Sequence, residues 1–324
     1  MAIMSSNLSE DTSPHGSDKV GNETDHTDQR KSITRDQCKD KIGFNWSTKQ
    51  KWLVLSVIFV VQISMNFNAS IFPGAIPGLA EKYDVPRETI RWGQFGFLIA
   101  YAFGCELWAP WSEEYGRFWS LQLSLLFVNL WQILCLFSPT AYGVIAGRIL
   151  GGLSSAGGSV TLGMVADMWE ADVQQYAVAF IVFSSVFGGI CGPIVGGFIE
   201  QFAPVNCFFW VQLAFGLTAQ VLHALIVPET RESTIMTKEA KRLRACGEEV
   251  YGPNELKGNR LTPRKILSTW IKPFHMFLTE PIVLCLSLLS GFSDALIFTS
   301  LDSFGLVYAQ WSFSPWMKGL TFIP

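Results

Sequence analysis

The chain has 324 residues, of which 49% are hydrophobic and 16% are charged, whereas an average soluble domain carries roughly 25% charged residues. Charged residues are absent from four long segments, at 52–80, 118–147, 173–199 and 201–228. Each segment exceeds the ~20 apolar residues that cross a bilayer as a helix. This pattern excludes a soluble domain and predicts an all-α polytopic membrane protein. The net charge of −3 does not indicate the topology, because in a membrane protein the topology depends on where the charged residues lie.

The predicted organisation has four parts. Residues 1–44 are rich in Ser, Thr, Asp and Lys, and we expect a disordered tail there, since so little apolar area cannot offset the entropy of ordering. A six-helix bundle at 45–228 precedes a cytoplasmic connector at 229–275 and the start of a second half at 276–324, which ends inside an eighth helix. Seven complete spans are predicted at 52–72, 90–110, 118–137, 141–166, 174–199, 206–227 and 280–304. A loop containing Pro73 and Pro77 is predicted after the first span.

Lysine and arginine residues predict the orientation, because they concentrate in cytoplasmic loops. Four lysines crowd the entrance to helix 1, and the connector holds ten basic residues. Six helices separate the two regions, so both are predicted to be cytoplasmic, together with the N-terminus. The basic segment 229–275 also fits a contact with anionic lipid, and residues 237–244 have the pattern of a short amphipathic helix on the membrane surface. A solvated connector needs no such contact and is the favoured interpretation.

Helix 5 contains a ten-residue glycine pattern. Gly188, Gly192 and Gly196 are four residues apart and therefore lie on one helix face, where small residues let two helix backbones approach closely in lipid. Pro193 removes a backbone donor and is predicted to bend the helix, and Gly197 completes the pattern. Simple helix packing explains the glycine spacing alone, but not the whole pattern.

Two further segments carry charge in unusual places. The loop after helix 2 contains Glu113, Gly116 and Arg117; the glycine permits a tight turn, and the charged pair is able to latch the ends of neighbouring helices. Arg148 lies about a third of the way into helix 4, where an arginine is costly and typically faces a partner or a water-filled cavity. Snorkelling to the nearer interface is the alternative for Arg148.

Other polar residues within the predicted spans are candidates for a proton or substrate pathway. Burial raises the pKa of a carboxyl and a nearby arginine lowers it, so membrane carboxylates can be tuned to exchange protons. Asp294 is the deepest of the three carboxylates and the favoured proton or substrate site. Solvation near the outer interface explains Asp302 equally well, and a capping role explains Glu106. Asn66, with Gln62 and Asn68, lines a cavity or bonds to neighbouring helices. The cysteines and histidines form no metal-ligand spacing.

Together these segments resemble the major facilitator superfamily, and within it the fungal drug:proton antiporters. Residues 188–197 match the helix-5 antiporter motif G-x-x-x-G-P-x-x-G-G of that family. Residues 109–118 are similar to its loop signature, with departures at Ala109, Glu114 and Phe118, and Arg148 with Gly152 is similar to its R-x-x-x-G motif. The resemblance covers the chain from about residue 45 to the end.

The resemblance implies twelve helices in two halves, with the substrate at mid-membrane between them. It implies that protons moving inward drive a small organic compound outward, such as a xenobiotic, a polyamine or a secondary metabolite. No cofactor, metal or nucleic acid is implied. The expected partners are substrate, protons, membrane lipid, and a second half or full-length carrier, because the chain is expected to be C-terminally truncated and not competent alone. The plasma membrane is the favoured location, with the vacuolar membrane as the alternative.

Other classes fit less well. A seven-helix receptor matches the helix count, but it would place the N-terminus outside, against the lysines that flank helix 1. A membrane enzyme is disfavoured because nothing resembles a serine triad, and a phosphate-binding G-x-x-x-x-G-K-[ST] loop is absent. A fragment that binds or regulates a full-length partner without moving substrate remains the alternative to a working carrier.

Overall fold

The computed structural model describes residues 33–155, 157–256 and 263–322, which are helical and contain no strand. The described helices are α1 (Thr48–Ser70), α2 (Phe72–Tyr83), α3 (Arg87–Tyr115), α4 (Arg117–Phe137), α5 (Ala141–Ser154), α6 (Gly157–Met168), α7 (Ala171–Phe202), α8 (Cys207–Ile226), α9 (Glu232–Ala245), α10 (Pro253–Leu256), α11 (Pro263–Thr279), α12 (Pro281–Ala309) and α13 (Pro315–Leu320). Two short 3₁₀ helices, Arg35–Lys41 and Gly43–Asn45, precede them.

Six helical stretches within the described residues are long and apolar enough to cross a membrane. They are Thr48–Ser70, Arg117–Phe137, Ala141–Met168, Ala171–Phe202, Cys207–Ile226 and Pro281–Ser300. The seventh predicted span, at 90–110, is present as α3, but charged residues at both ends and at Glu106 interrupt its apolar sequence. The predicted all-helical membrane architecture is confirmed, with α3 as a long helix that is more polar than the others.

Two local predictions differ from the structure. The predicted loop at Pro73 and Pro77 is wrong, because α2 runs through both residues. Pro73 lies in the first turn, where a helix needs no backbone donor from it. The predicted helix 4 forms as two helices, since α5 ends at Ser154, Ser155 has an extended backbone, and α6 begins at Gly157.

The six-helix bundle buries two apolar clusters. One packs α1 against α4, α6 and α7 around Leu55, Ile58, Leu121 and Met164. The other joins α2 to α5 and α8. Because lipid tails are as apolar as these side chains, close packing contributes more to holding the bundle than the exclusion of water does.

The segment 33–46, named here the N-terminal strap, is ordered, which differs from the disorder predicted for 1–44; residues 1–32 lie outside the described residues. Ile33, Cys38 and Ile42 are buried against the apolar face of α9. Arg35 pairs with Glu232 at 2.7 Å and Lys41 with Glu239 at 2.6 Å. These apolar contacts offset the entropy lost when the strap becomes ordered, which its polar residues alone would not do.

The last two helices make few contacts with the bundle except at one point. No residue in the apolar span of α12 is buried, and Ile282 and Leu289 are exposed. In contrast, α13 packs on α7, where Gly197 faces the Pro315 backbone and Gly319 faces the Pro193 backbone. The glycines on each side allow this backbone-to-backbone approach.

Candidate functional site

Arg148 lies in a polar cluster inside the bundle. Its side chain is buried, and its guanidinium donates to Asn68 Oδ1 at 2.7 Å, to the Asn68 carbonyl at 3.1 Å and to Gln94 Oε1 at 3.3 Å. The rings of Phe72 and Phe97 lie 4.4 and 4.1 Å from the guanidinium carbon, in cation–π contact. The arginine therefore faces protein groups of α1 and α3 and does not snorkel to an interface.

The cluster leaves a positive charge uncompensated. Among the described residues no carboxylate lies within ion-pair distance of Arg148, and its Nε has no hydrogen-bond acceptor. Amide oxygens solvate a guanidinium but do not neutralise it, and an isolated buried cation costs several kcal/mol. Such a centre attracts an anion, or lowers the pKa of a carboxyl group that approaches it.

The structure does not bring the other predicted pathway residues to Arg148. Asp294 is exposed on α12, and Glu106 is half-buried on α3; neither makes a hydrogen bond or ion pair with another described residue. Asn66 donates to the Gln62 carbonyl within its own helix at 2.9 Å. The side chain of Asp302 lies outside the described residues. The contacts of Arg148 come instead from Asn68 and from Gln94, which sequence reasoning missed; the only available signal was a glutamine in the apolar part of α3.

We expect Arg148→Met to change the free energy of unfolding by less than about 1 kcal/mol, because relief of the desolvation cost offsets the lost hydrogen bonds. Denaturation of the purified chain in mixed micelles measures this change. A loss above about 3 kcal/mol would instead identify Arg148 as a residue that stabilises the fold. Arg148→Ala serves for comparison, since it adds a cavity between Phe72 and Phe97.

The glycine pattern of helix 5 lies in α7 and faces three neighbouring helices. Gly188 lies against Ile63 and Asn66 of α1, and Gly192 lies against Ser70. The Ser70 hydroxyl donates to the Gly188 carbonyl at 3.0 Å. Gly196 and Gly197 extend the contact to α8 and α13, and α7 continues as one helix through Pro193. The pattern therefore packs α7 against α1 and α8 on one side and against α13 on the other.

A charged network ties the start of α4 to the end of α6 and to the residues that precede α9. The Arg117 side chain is 8% exposed, and its Nε lies 3.1 Å from Asp167 Oδ2 at the end of α6. Arg231, which precedes α9, approaches Asp167 Oδ1 at 3.2 Å. Asp167 thus bridges two arginines from different parts of the chain.

Glu229 completes this network at the start of α4. Its carboxylate accepts backbone hydrogen bonds from Arg117, Phe118, Thr230 and Arg231, at 2.9 to 3.3 Å. Burial raises the pKa of Glu229 and the backbone donors lower it, with burial the larger effect. The carboxylate caps the N-terminus of α4 and joins it to the residues that lead into α9.

Most of the predicted loop is helical, since α3 runs to Tyr115 and α4 begins at Arg117. The structure places Gly116 at the turn between these helices and gives Arg117 a different partner from the predicted Glu113. Glu113 is exposed and makes no ion pair with any described residue, whereas Asp167 is the carboxylate that pairs with Arg117. Gly116 has a backbone φ of 105°, and an added Cβ there would overlap the Glu229 carboxylate, so only glycine fits. In the sequence, Asp167 lies in an acidic segment after the fourth predicted span, and nothing there indicates a contact with Arg117.

Fold and site together define a polytopic helical membrane protein, with a buried arginine inside its helical bundle and a charged network at the ends of several helices. A family model described as the Major Facilitator Superfamily matches residues 58–324. The chain belongs to this family. The predicted class, a membrane transporter and not an enzyme, is confirmed at the level of the family.

Relatives are fungal transporters. The chain is 27% identical over 308 residues to the MFS-type transporter paaT of Penicillium rubens, covering 94% of this chain and 56% of the relative. It is 29% identical over 292 residues to the efflux pump vrtL of Penicillium aethiopicum, covering 87% and 55%. The chain thus spans about half the length of the curated relatives it matches.

The solved structures show the fold. The human organic anion transporter MFSD10 aligns with a TM-score of 0.53 at 19% identity, over 85% of this chain and 69% of that chain. The predicted major facilitator fold is confirmed, and the membership is inconsistent with the receptor alternative.

Proposed function

We propose that the chain supplies the first half of a carrier that exports small organic compounds, xenobiotics or secondary metabolites, in exchange for protons. The compound crosses the plasma membrane by alternating access between two helical halves. In this proposal Arg148 and Asp294 serve the coupled cycle, and Glu106, Asn66 and Asp302 line the pathway. The second half belongs to a longer form of the protein or to a partner.

The observation that carries the proposal is the uncompensated Arg148. A fold that only needed stability would favour an apolar side chain of similar volume at this position, since such replacements are neutral or stabilising. A buried cation held by Asn68 and Gln94 has a role when a carboxylate or an anionic group meets it during the cycle. Asp294 is a candidate, because it is an exposed carboxylate that makes no hydrogen bond or ion pair with another described residue.

Contacts between the two basic regions support a cytoplasmic N-terminus. The ion pairs of Arg35 with Glu232 and of Lys41 with Glu239 require the N-terminal strap and α9 to lie on the same side of the membrane. Both regions are rich in basic residues, which favours the cytoplasmic side.

The test reconstitutes two preparations in vesicles with an imposed pH gradient. One is the protein purified from native membranes with an antibody to α9, at whatever mass it has there, and the other is the 324-residue chain alone. We expect the native species to move fluorescent organic compounds only with the gradient, and the 324-residue chain to move none. Arg148→Met in the native form is expected to abolish this exchange and to leave membrane insertion intact.

Each other outcome rejects a specific part of the proposal. Transport that ignores the pH gradient excludes proton coupling, and transport by the 324-residue chain alone excludes the need for a second half. If the native species contains the chain bound to a full-length carrier, and removing the chain leaves efflux unchanged, the chain is a binding fragment. Unchanged efflux by Arg148→Met would remove Arg148 from the mechanism.

A further inference from the structure

The connector contains two amphipathic helices, and they differ in what covers their apolar faces. In α9, the residues Ile235, Met236 and Ala240 are buried, and the N-terminal strap packs over Met236 and Ala240. This contact excludes the interpretation in which segment 237–244 lies with its apolar face in the membrane. In α11, by contrast, the apolar residues Ile271, Phe274 and Leu278 are exposed.

Three apolar residues of α11 form an exposed stripe. Ile271, Phe274 and Leu278 are 55%, 50% and 79% exposed, and their spacing of three and four residues places them on the same side of the helix. The exposed residues Lys272, His275 and Thr279 each follow one of them by one position, about 100° further round the helix. A soluble surface does not usually leave such a stripe uncovered.

The charge of α11 has a single sign. Its sequence contains Arg264, Lys265 and Lys272 and no aspartate or glutamate between Pro263 and Thr279. In α9, by comparison, Glu232 and Glu239 accompany the basic residues and pair with the N-terminal strap. A helix that combines an apolar stripe with basic charge of one sign has the composition that binds the interface of an anionic membrane.

The position of α11 agrees with that composition. The helix ends one residue before α12, whose sequence begins a candidate membrane span. Phe274 contacts Phe103 of α3, with ring centroids 6.5 Å apart. The end of α11 therefore lies where a spanning helix enters the bilayer, which is the depth of the lipid headgroups.

We propose that α11 lies in the cytoplasmic headgroup layer and binds anionic phospholipid. The stripe of Ile271, Phe274 and Leu278 enters the boundary between headgroups and acyl chains, and the basic residues contact the phosphate and carboxylate groups of the lipid. This contact anchors the connector at the membrane ahead of α12. It is independent of whether the protein transports a compound.

The test measures amide hydrogen exchange of the full chain in nanodiscs of phosphatidylcholine, with and without phosphatidylserine. We expect exchange in α11 to slow in the anionic discs, and high salt to reverse the effect. In a variant with Arg264→Gln, Lys265→Gln and Lys272→Gln, each lost charge is expected to relax the protection by about fivefold. The amides of α4 report in the same spectrum whether the variant is folded.

The matched control is α9 with Lys238→Gln, Lys241→Gln and Arg242→Gln, because these three residues are exposed on a helix whose apolar face is covered. Exchange in α9 is expected to be the same in both lipids, with and without the substitutions. Equal protection of α11 in both lipids would overturn the proposal and indicate that protein covers the stripe. The proposal would also be overturned if exchange in α9 slowed in the anionic discs as much as exchange in α11. Basic charge without an exposed apolar stripe would then be sufficient for the contact.

Discussion

Asp167→Ala is expected to lower the free energy of unfolding by about 3–5 kcal/mol, the loss typical when one partner of a buried ion pair is removed. Arg117, at 8% exposure, would keep its charge with only the Ser112 hydroxyl at 2.5 Å as a side-chain partner. Arg231 would lose the same carboxylate. Denaturation of the purified chain in mixed micelles measures the change.

Glu113→Ala is the control for this prediction, since Glu113 carries the same charge near Arg117, in the last turn of α3, but is exposed. Its effect is expected to stay within about 0.5 kcal/mol, as for most surface substitutions. If both variants lose the same stability, this end of the bundle is sensitive to the loss of any carboxylate and Asp167 has no special role. Asp167→Asn keeps an acceptor without the charge and is expected to fall between the two.

Gly192→Ala is expected to destabilise the bundle by about 1–3 kcal/mol, as overpacking of a close contact does. The added Cβ would overlap the Ser70 hydroxyl and the Ser70 backbone. The hydroxyl can rotate away, but the backbone cannot move without shifting α1. We expect the variant to unfold at a lower denaturant concentration. In hydrogen exchange, the amides of α1 and α7 are expected to lose protection first.

Gly189→Ala provides the matched comparison within the same motif, because an added Cβ at Gly189 meets nothing within 4 Å. That variant is expected to be neutral or to stabilise α7 by up to about 1 kcal/mol, through the lower backbone entropy of alanine. A similar loss for both variants would mean that glycine is needed in α7 for its flexibility and that contact with α1 is not the reason.

The sequence predicted the parts of the molecule that depend on local pattern. Glycine spacing identified the packed face of α7, because a four-residue repeat places residues on one side of any helix. The burial of Arg148 also followed from its position in an apolar stretch. Neither inference needs knowledge of which helices are neighbours.

The parts that depend on tertiary contacts were missed or wrong. Gln94 and Asn68 are 54 and 80 residues from Arg148, and helical periodicity does not say which helices meet. For the same reason Glu113, close to Arg117 in sequence, was a natural partner, although Asp167 is the residue that reaches it. The N-terminal strap was missed because its order comes from burial against α9, which composition does not report.

The N-terminal strap also sets the reach of the connector. A free chain from Glu229 to Pro263 would extend to about 120 Å, at ~3.5 Å per residue. The strap holds α9, and the backbone of Ile33 donates to the Tyr251 carbonyl, so the reach of the chain toward α11 is counted from Leu256. The backbone from Leu256 to Pro263 spans at most about 25 Å in any conformation. The strap therefore shortens the reach of the connector and confines the start of α11 to the neighbourhood of α10.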